Sequence, residues 1–248
     1  MSLEKFIQFI PITVTDNPGI PQSKDLSKKF QVGSDVYVYY DDYLDGGGTF
    51  IGQNYPRVLQ LLYPNRVFDN CLEWCAGAGF IGFRLLSDGT CKKLTLFECF
   101  EPAIAACNKT ISNLPKRFKN TVSTIHCDNI KSLSKDLKFD LIVANPPHFN
   151  AVLWSGTFHD TADEPGSWCE SDHFNTKATD KNWQLHQEFF INIKKNLAIN
   201  GIILLQECIF GSSTSEFKDF IDAGGLKITN AFREKREPSI WYLELQHK

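Results

Sequence analysis

The sequence predicts an α/β fold: a doubly wound, mostly parallel sheet of seven strands, with helices on both faces and an antiparallel strand at its C-terminal end. Three observations carry this. From Val67 to Cys208, short apolar runs alternate with helical stretches, the pattern of parallel strands joined by helical crossovers. Asp140-Leu-Ile-Val-Ala144 is apolar at every position after its aspartate, as a strand covered on both faces must be. The last two strand-like runs, Leu226–Thr229 and Ile240–Leu245, are joined only by residues 230–239. That is too short for a helical crossover, so the two run antiparallel.

Residues 1–45 read as an N-terminal extension. Over 1–35, apolar pairs mix with Pro11, Pro18, Gly19 and Pro21, the make-up of an extended arm, and Val36–Tyr40 is strand-like. Asp45-Gly46-Gly47-Gly48 forms a mobile loop, and the main domain, 46–248, begins there. A helix over about 54–63 carries Val58, Leu59, Leu61 and Leu62 and ends at Pro64-Asn65. Strand Val67–Trp74 follows, and Cys75-Ala-Gly77-Ala-Gly79-Phe-Ile-Gly82 turns into a helix reaching about Ser87. A second strand, Leu94–Phe97, ends on Glu98. Pro102 suits the first turn of the next helix, which runs to about Leu114. Val122–Cys127 is the third strand, closed by Asp128-Asn129, and Phe139–Ala144 is the fourth. Residues 150–182 are irregular and rich in Gly, Asp, Ser and Thr. Loops of this length inside a compact domain are usually functional, so this one is expected to meet substrate. Helix 183–198, a turn at Asn200-Gly201, strand Ile202–Cys208, a helix over about 214–222 and the final strand pair complete the sheet.

A hydrophobic share of 42% supports one sizeable core in 248 residues. The net charge of −3 provides no global basic field for nucleic acid. Lys116, Arg117 and Lys119, and Arg233, Lys235 and Arg236, form local basic clusters that read as solvated surface. None of the eight cysteines form a C-x-x-C pair, and most sit in or beside apolar runs, which fits free thiols in a reducing cytosol. The apolar run Phe6–Ile12 is short, meets Pro11 and lacks a small-residue cleavage site, so it is no secretory leader. No apolar stretch reaches the roughly 20 residues that span a bilayer. A cytoplasmic protein without membrane partners is expected.

The chemistry gathers at strand ends. Asn145-Pro146-Pro147-His148 closes the fourth strand. Neither proline has an N–H, and each fixes φ, so Asn145 is held extended with its amide free for the crevice at the sheet's carboxyl edge, where ligands of such sheets bind. Gly77-x-Gly79-x-x-Gly82 follows a strand, with the acidic Glu98 about twenty residues on, which satisfies the dinucleotide fingerprint of a nicotinamide-dependent oxidoreductase. Glu73 at the first strand's end, Asn145-Pro-Pro and the antiparallel final pair are not expected of that class. Together they resemble the Rossmann-like class I S-adenosylmethionine-dependent methyltransferases. Asn145-Pro-Pro-His148 is similar to the N-P-P-Y/F signature of the nitrogen methyltransferases, which modify protein glutamine or the exocyclic amine of adenine. The resemblance spans about 46–210.

The resemblance implies roles position by position. Gly77 and Gly79 admit the methionine portion of S-adenosylmethionine against bare backbone, and Glu73 meets its ammonium group, directly or through water. Glu98 accepts from the ribose hydroxyls, Asp128 and Asn129 recognise the adenine amine, and Phe100 packs on the ring. Asn145 and the Pro146 carbonyl hold the two N–H groups of the acceptor nitrogen. His148 stacks on a planar target or takes its proton. Two departures stand out: Cys75 occupies the first glycine position of the acidic–x–Gly–x–Gly–x–Gly pattern, narrowing the pocket, and His148 replaces an aromatic residue. The helical N-terminal domain of the release-factor glutamine methyltransferases is not evident. Thr49-Phe50 reads as a lid over the methionine end. In the loop, Trp154, Phe158 and Trp168 suit substrate stacking. His159, Asp160, Asp163, Glu164, Cys169, Asp172 and His173 crowd together without matching a metal motif, so no metal is expected. The expected activity is methyl transfer to a planar amide or amine nitrogen of a protein or nucleic acid. A small-molecule methyltransferase, the oxidoreductase and a non-catalytic S-adenosylmethionine-binding module remain as alternatives.

Overall fold

The computed structural model describes residues 26–150, 179–233 and 237–248. A hairpin of β1 (Lys28–Gln31) and β2 (Tyr37–Tyr40) precedes helix α1 (Tyr55–Leu62). Then come β3 (Phe68–Trp74), α2 (Phe80–Ser87), β4 (Cys91–Glu98), α3 (Glu101–Ser112), β5 (Val122–His126) and β6 (Phe139–Ala144). After residue 178 the chain forms α4 (Gln184–Asn192), β7 (Leu197–Cys208), α5 (Thr214–Ala223), β8 (Leu226–Arg233) and β9 (Ile240–His247). The seven-stranded sheet has the order β5-β4-β3-β6-β7-β9-β8. Neighbours from β5 to β7 are parallel, and β9 runs antiparallel to both β7 and β8. The short connection before β9 dictates this, since only an antiparallel return fits it.

Both faces of the sheet are covered, and side chains alternate between two cores. Cys71, Leu141, Val143, Ile202 and Leu204 join the core beneath α1, α2 and α3, to which the hairpin adds Val32, Val36 and Val38. Leu72, Trp74, Ile142, Ala144, Ile203 and Leu205 join the core under α4 and α5, with Phe189, Phe190 and Phe217. Trp74 stacks on Phe189 at 3.9 Å. The buried hydroxyl of Tyr55 donates to the Ala144 carbonyl at 2.5 Å, with Leu204 O 3.1 Å away, tying α1 to the end of β6 and the middle of β7.

Two expected boundaries are corrected. Asn200-Gly201 makes no turn outside the sheet. It lies within β7, where pairing jumps from Phe139↔Leu197 to Leu141↔Ile202, and the extra residues are absorbed as an irregularity of the strand. The helix expected over 183–198 is shorter. Asn182 and Trp183 have φ of 56° and 55°, so α4 starts at Gln184, and its far end tightens into a 3₁₀ turn, Ile193–Asn196. No helix among the described residues is long and apolar enough to cross a membrane. Residues 1–25, most of the expected substrate loop with its three aromatic and seven metal-ligand-type residues, and Lys235 and Arg236 lie outside the described residues.

Candidate active site

From β3 the chain winds outward to β4 and β5, then returns to β6 on the other side of β3. The strand order therefore reverses between β3 and β6, and open α/β sheets bind ligands at that point, outside the carboxyl ends. Trp74 is in register with Phe97 on one side and Ala144 on the other, and Glu98 with His126. Four predicted segments thus share one edge: Cys75–Gly79, Glu98–Phe100, Asp128-Asn129 and Asn145–His148.

The loop after β3 needs left-handed backbone at three positions, Cys75, Gly77 and Gly79, with φ of 53°, 54° and 83°. This explains why glycine suits the first position and why Cys75 is a strained choice there. Its side chain packs against the core containing Trp74 and Phe97, and burial pushes its thiol well up. A Cβ added at Gly77 would meet nothing within 4 Å, so bare backbone faces open space at that point.

Glu98 is only 9% exposed. Its Oε2 accepts from Gly77 N at 2.7 Å, and Oε1 accepts from Cys99 N and Phe100 N at 2.8 and 2.9 Å. One carboxylate therefore stitches the glycine loop to the entrance of α3. Phe100 sits at that entrance, half-buried and packed on the core. Asp128 is exposed, while Asn129 Oδ1 accepts from Lys131 N at 2.9 Å, closing a short 3₁₀ turn.

Glu73 is placed differently from the sequence expectation. It is 2% exposed, and its Oε2 accepts from Gly82 N at 2.7 Å in the first turns of α2. Burial pushes its carboxyl up to about 8, against the opposing pull of the Gly82 and Ile81 N–H groups. The side chain serves the unsatisfied N-terminus of α2, and burial favours its neutral form.

At the end of β6, Asn145 Nδ2 donates to Gly46 O at 3.3 Å, and Oδ1 lies 3.0 Å from His148 Nε2. Gly46, in the glycine run that precedes the expected lid Thr49-Phe50, thus touches Asn145. Thr49 is tied back to Asp45 through its N and Oγ1, while Phe50 projects into solvent, 69% exposed. Gly211 allows the β7–α5 connection to lie against His148, because a Cβ there would come within 2.0 Å of His148 O.

Sequence reasoning missed the residues behind His148. Its Nδ1 lies 3.2 Å from Oε2 of Glu207, which also accepts from Ser212 Oγ at 3.0 Å. Oε1 of Glu207 is 3.1 Å from His186 Nε2, and His186 Nδ1 is 2.7 Å from Asp180 Oδ2. His186 and Glu207 are completely buried. Burial opposes charge on His186, but Glu207 and Asp180 override it and hold the ring up at about 9. Burial likewise opposes charge on Glu207, yet His186 and His148 hold its carboxyl below the ordinary value. The signal available in the sequence was a charged residue, Glu207, following Gln206 near the end of the strand-like run Ile202–Cys208.

Residues 29–156, over half of the chain, match the family model described as the methyltransferase small domain. The chain belongs to this family. It is an S-adenosylmethionine-dependent methyltransferase, and the nicotinamide oxidoreductase alternative falls with that membership. No curated protein matches the chain in sequence. Among solved structures, the chain is similar to the glycopeptide N-methyltransferase MtfA, with 13% identity, a TM-score of 0.55 and coverage of 84% of this chain and 93% of that one. It is also similar to TrmN from Thermus thermophilus, with 16% identity and a TM-score of 0.52. That match covers 77% of this chain but 48% of TrmN, so the chain spans about half of TrmN's length. At such identities the likeness is one of fold. The methyltransferase site suits the cofactor: an open approach at Gly77, a carboxylate at the end of β4 and a half-buried aromatic ring at Phe100 provide a backbone face, a diol acceptor and an apolar surface. The seven described cysteines are free thiols, and no metal-ligand cluster occurs among the described residues.

Proposed function

We propose that this methyltransferase acts on a planar amide or amine nitrogen of a macromolecule, a protein glutamine or a nucleic-acid adenine being the expected acceptors. The observation that carries this reading is the position of Asn145. It stands at the reversal of strand order beside the glycine loop, with its amide anchored to Gly46 O and facing His148. A nitrogen acceptor is in keeping with the similarity in fold to MtfA, a glycopeptide N-methyltransferase.

S-adenosylmethionine, when bound, supplies a methyl group on a sulfonium sulfur. In this proposal Glu98 holds the ribose hydroxyls, Gly77 and Gly79 pass the methionine portion, and Phe100, Asp128 and Asn129 border the adenine. Any role for Glu73 on the methionine side would act through the helix and loop that it braces. An amide or aryl amine is a weak nucleophile because its lone pair is delocalised. Acceptors at Asn145 Oδ1 and the Pro146 carbonyl, directed at its two N–H groups, favour the pyramidal nitrogen and offset its developing positive charge.

The test is transfer of labelled methyl from S-adenosylmethionine into a cell extract, fractionated into protein, RNA, DNA and small molecules. Label on a nitrogen of a macromolecule is expected. Asn145→Ala should lower kcat on that acceptor by about 10²–10³, the loss typical of one preorganised polar group. Label confined to carbon, oxygen or a small molecule would overturn the proposal, as would full activity in Asn145→Ala.

A further inference from the structure

We propose that His148 is a positioning residue for Asn145: its Nε2–H donates to Asn145 Oδ1 and fixes which end of that amide meets the acceptor nitrogen. This rests on the nitrogen-acceptor reading above, and it gives His148 no part in taking the proton.

An amide side chain has a donor end and an acceptor end, and a half-turn about its last bond exchanges them. In Asn145 the neighbours assign both. Nδ2 donates to Gly46 O at 3.3 Å, a backbone carbonyl that only accepts. Oδ1 is thus the end that lies 3.0 Å from His148 Nε2. A carbonyl oxygen also only accepts, so the hydrogen of this contact is on Nε2. The half-turn would set Oδ1 against Gly46 O with no hydrogen between them. Asn145 and His148 are separated only by Pro146 and Pro147, whose rings restrict the backbone that joins them.

One end of the His148 ring faces the cleft and the other is tied to the core. Nδ1 lies 3.2 Å from Glu207 Oε2, and one further hydrogen is held by that pair. Glu207 is fixed in turn by Ser212 Oγ and by His186 Nε2. The His186 ring stacks on Phe217 at 4.7 Å and meets the edges of Trp74 and Trp183, so it has no room to rotate. The side chain of His148 is 14% exposed and that of Glu207 is wholly buried.

The orientation matters to the chemistry. Oδ1 has two lone pairs, of which His148 uses one, and the other is left for an N–H of the acceptor. The reversed amide would turn its NH₂ towards His148 and the acceptor, donor against donor. Because Nε2 carries hydrogen, it has no lone pair for the proton of the methylated nitrogen. In the step, that nitrogen gains the methyl carbon, the pair of the carbon–sulfur bond stays on sulfur as a neutral thioether, and the proton passes to water.

Two substitutions separate positioning from stacking, the other role of a ring at this place. Phenylalanine keeps a flat ring and has no N–H, whereas glutamine has no ring and places N–H donors at a similar reach. In the labelled-methyl assay, His148→Phe should lower kcat by about 10-fold, roughly what one hydrogen bond contributes, and His148→Gln should recover most of that loss. Calorimetry with S-adenosylmethionine should give wild-type affinity for both. Wild-type kcat in His148→Phe overturns the proposal, as does an equal or larger loss in His148→Gln. Independently of any acceptor, ¹H–¹⁵N NMR of the full chain at neutral pH, with His148→Phe to assign the signal, should show hydrogen on Nε2 of His148. A bare Nε2 overturns the proposal even where neither variant folds. If wild type labels no nitrogen, the acceptor reading falls and this role with it, whereas a bare Nε2 in an enzyme that labels nitrogen sinks the positioning role alone.

Discussion

Removing the Glu98 carboxylate should damage both the fold and the cofactor affinity, because one group performs two tasks. It accepts three backbone N–H groups at 2.7, 2.8 and 2.9 Å. Hydrogen bonds to a charged group each contribute about 1.5–3 kcal/mol, but the three are not additive. Cys99 is exposed and Gly77 half-buried, so water can replace part of what is lost. A total near 3 kcal/mol is therefore expected for Glu98→Ala. At this chain length that corresponds to a fall in Tm of about 6–12 °C. The sequence alone suggests that a strand-end carboxylate in a cleft can be removed without harm to folding, and these three bonds argue otherwise. Affinity for S-adenosylmethionine should weaken by roughly 10- to 100-fold, from the same 1.5–3 kcal/mol range. A carboxylate offers about four lone-pair directions, of which three are used, so two ribose hydroxyls can bind only if one backbone bond yields. Glu98→Gln separates the effects. Its amide oxygen can keep Cys99 and Phe100 N–H, but its NH₂ cannot accept from Gly77 or from a hydroxyl. It should recover part of the stability and little of the affinity. Thermal melts and calorimetry measure both. An alanine variant with wild-type affinity would remove Glu98 from the cofactor site, and one with wild-type Tm would remove it from the loop.

Two further predictions concern pH. The Glu73 carboxyl is held up at about 8 in the folded chain, against roughly 4.3 when unfolded. Between those values the folded state binds a proton that the unfolded state lacks, so stability falls as pH rises, by up to about 1.4 kcal/mol per pH unit. Glu73→Gln keeps an acceptor for Gly82 N without the charge, so it should flatten that slope in urea denaturation, and a slope equal to wild type would contradict the burial argument. For His186 the folded value of about 9 lies above the unfolded value near 6.5. Its stabilisation is complete below about pH 6.5 and disappears as pH rises through 9. His186→Asn should therefore cost most near pH 6 and progressively less towards pH 9. A pH-independent difference would mean that the buried ring is neutral.

Local chemistry made most of the fold legible and left the support of the site hidden. Strand β6 is recognisable because both its faces are buried, which forces apolar residues at every position, and β9 because a short connection permits one direction only. The glycine loop and Asn145-Pro146-Pro147 are equally local, since positive φ and missing N–H groups are properties of single residues. Asn200-Gly201 misleads for the same reason: its turn preference is local, but the pairing of β7 with β6 overrides it. The Asp180–His186–Glu207–His148 chain has no local cause at all, because its members meet only when β6, α4 and β7 assemble. Its one trace is Glu207 itself. A charge in a strand covered on both faces has no route to solvent, and an ion there must be paired. The unanswered question in the sequence was what Glu207 pairs with, and the answer leads to the histidine beside Asn145.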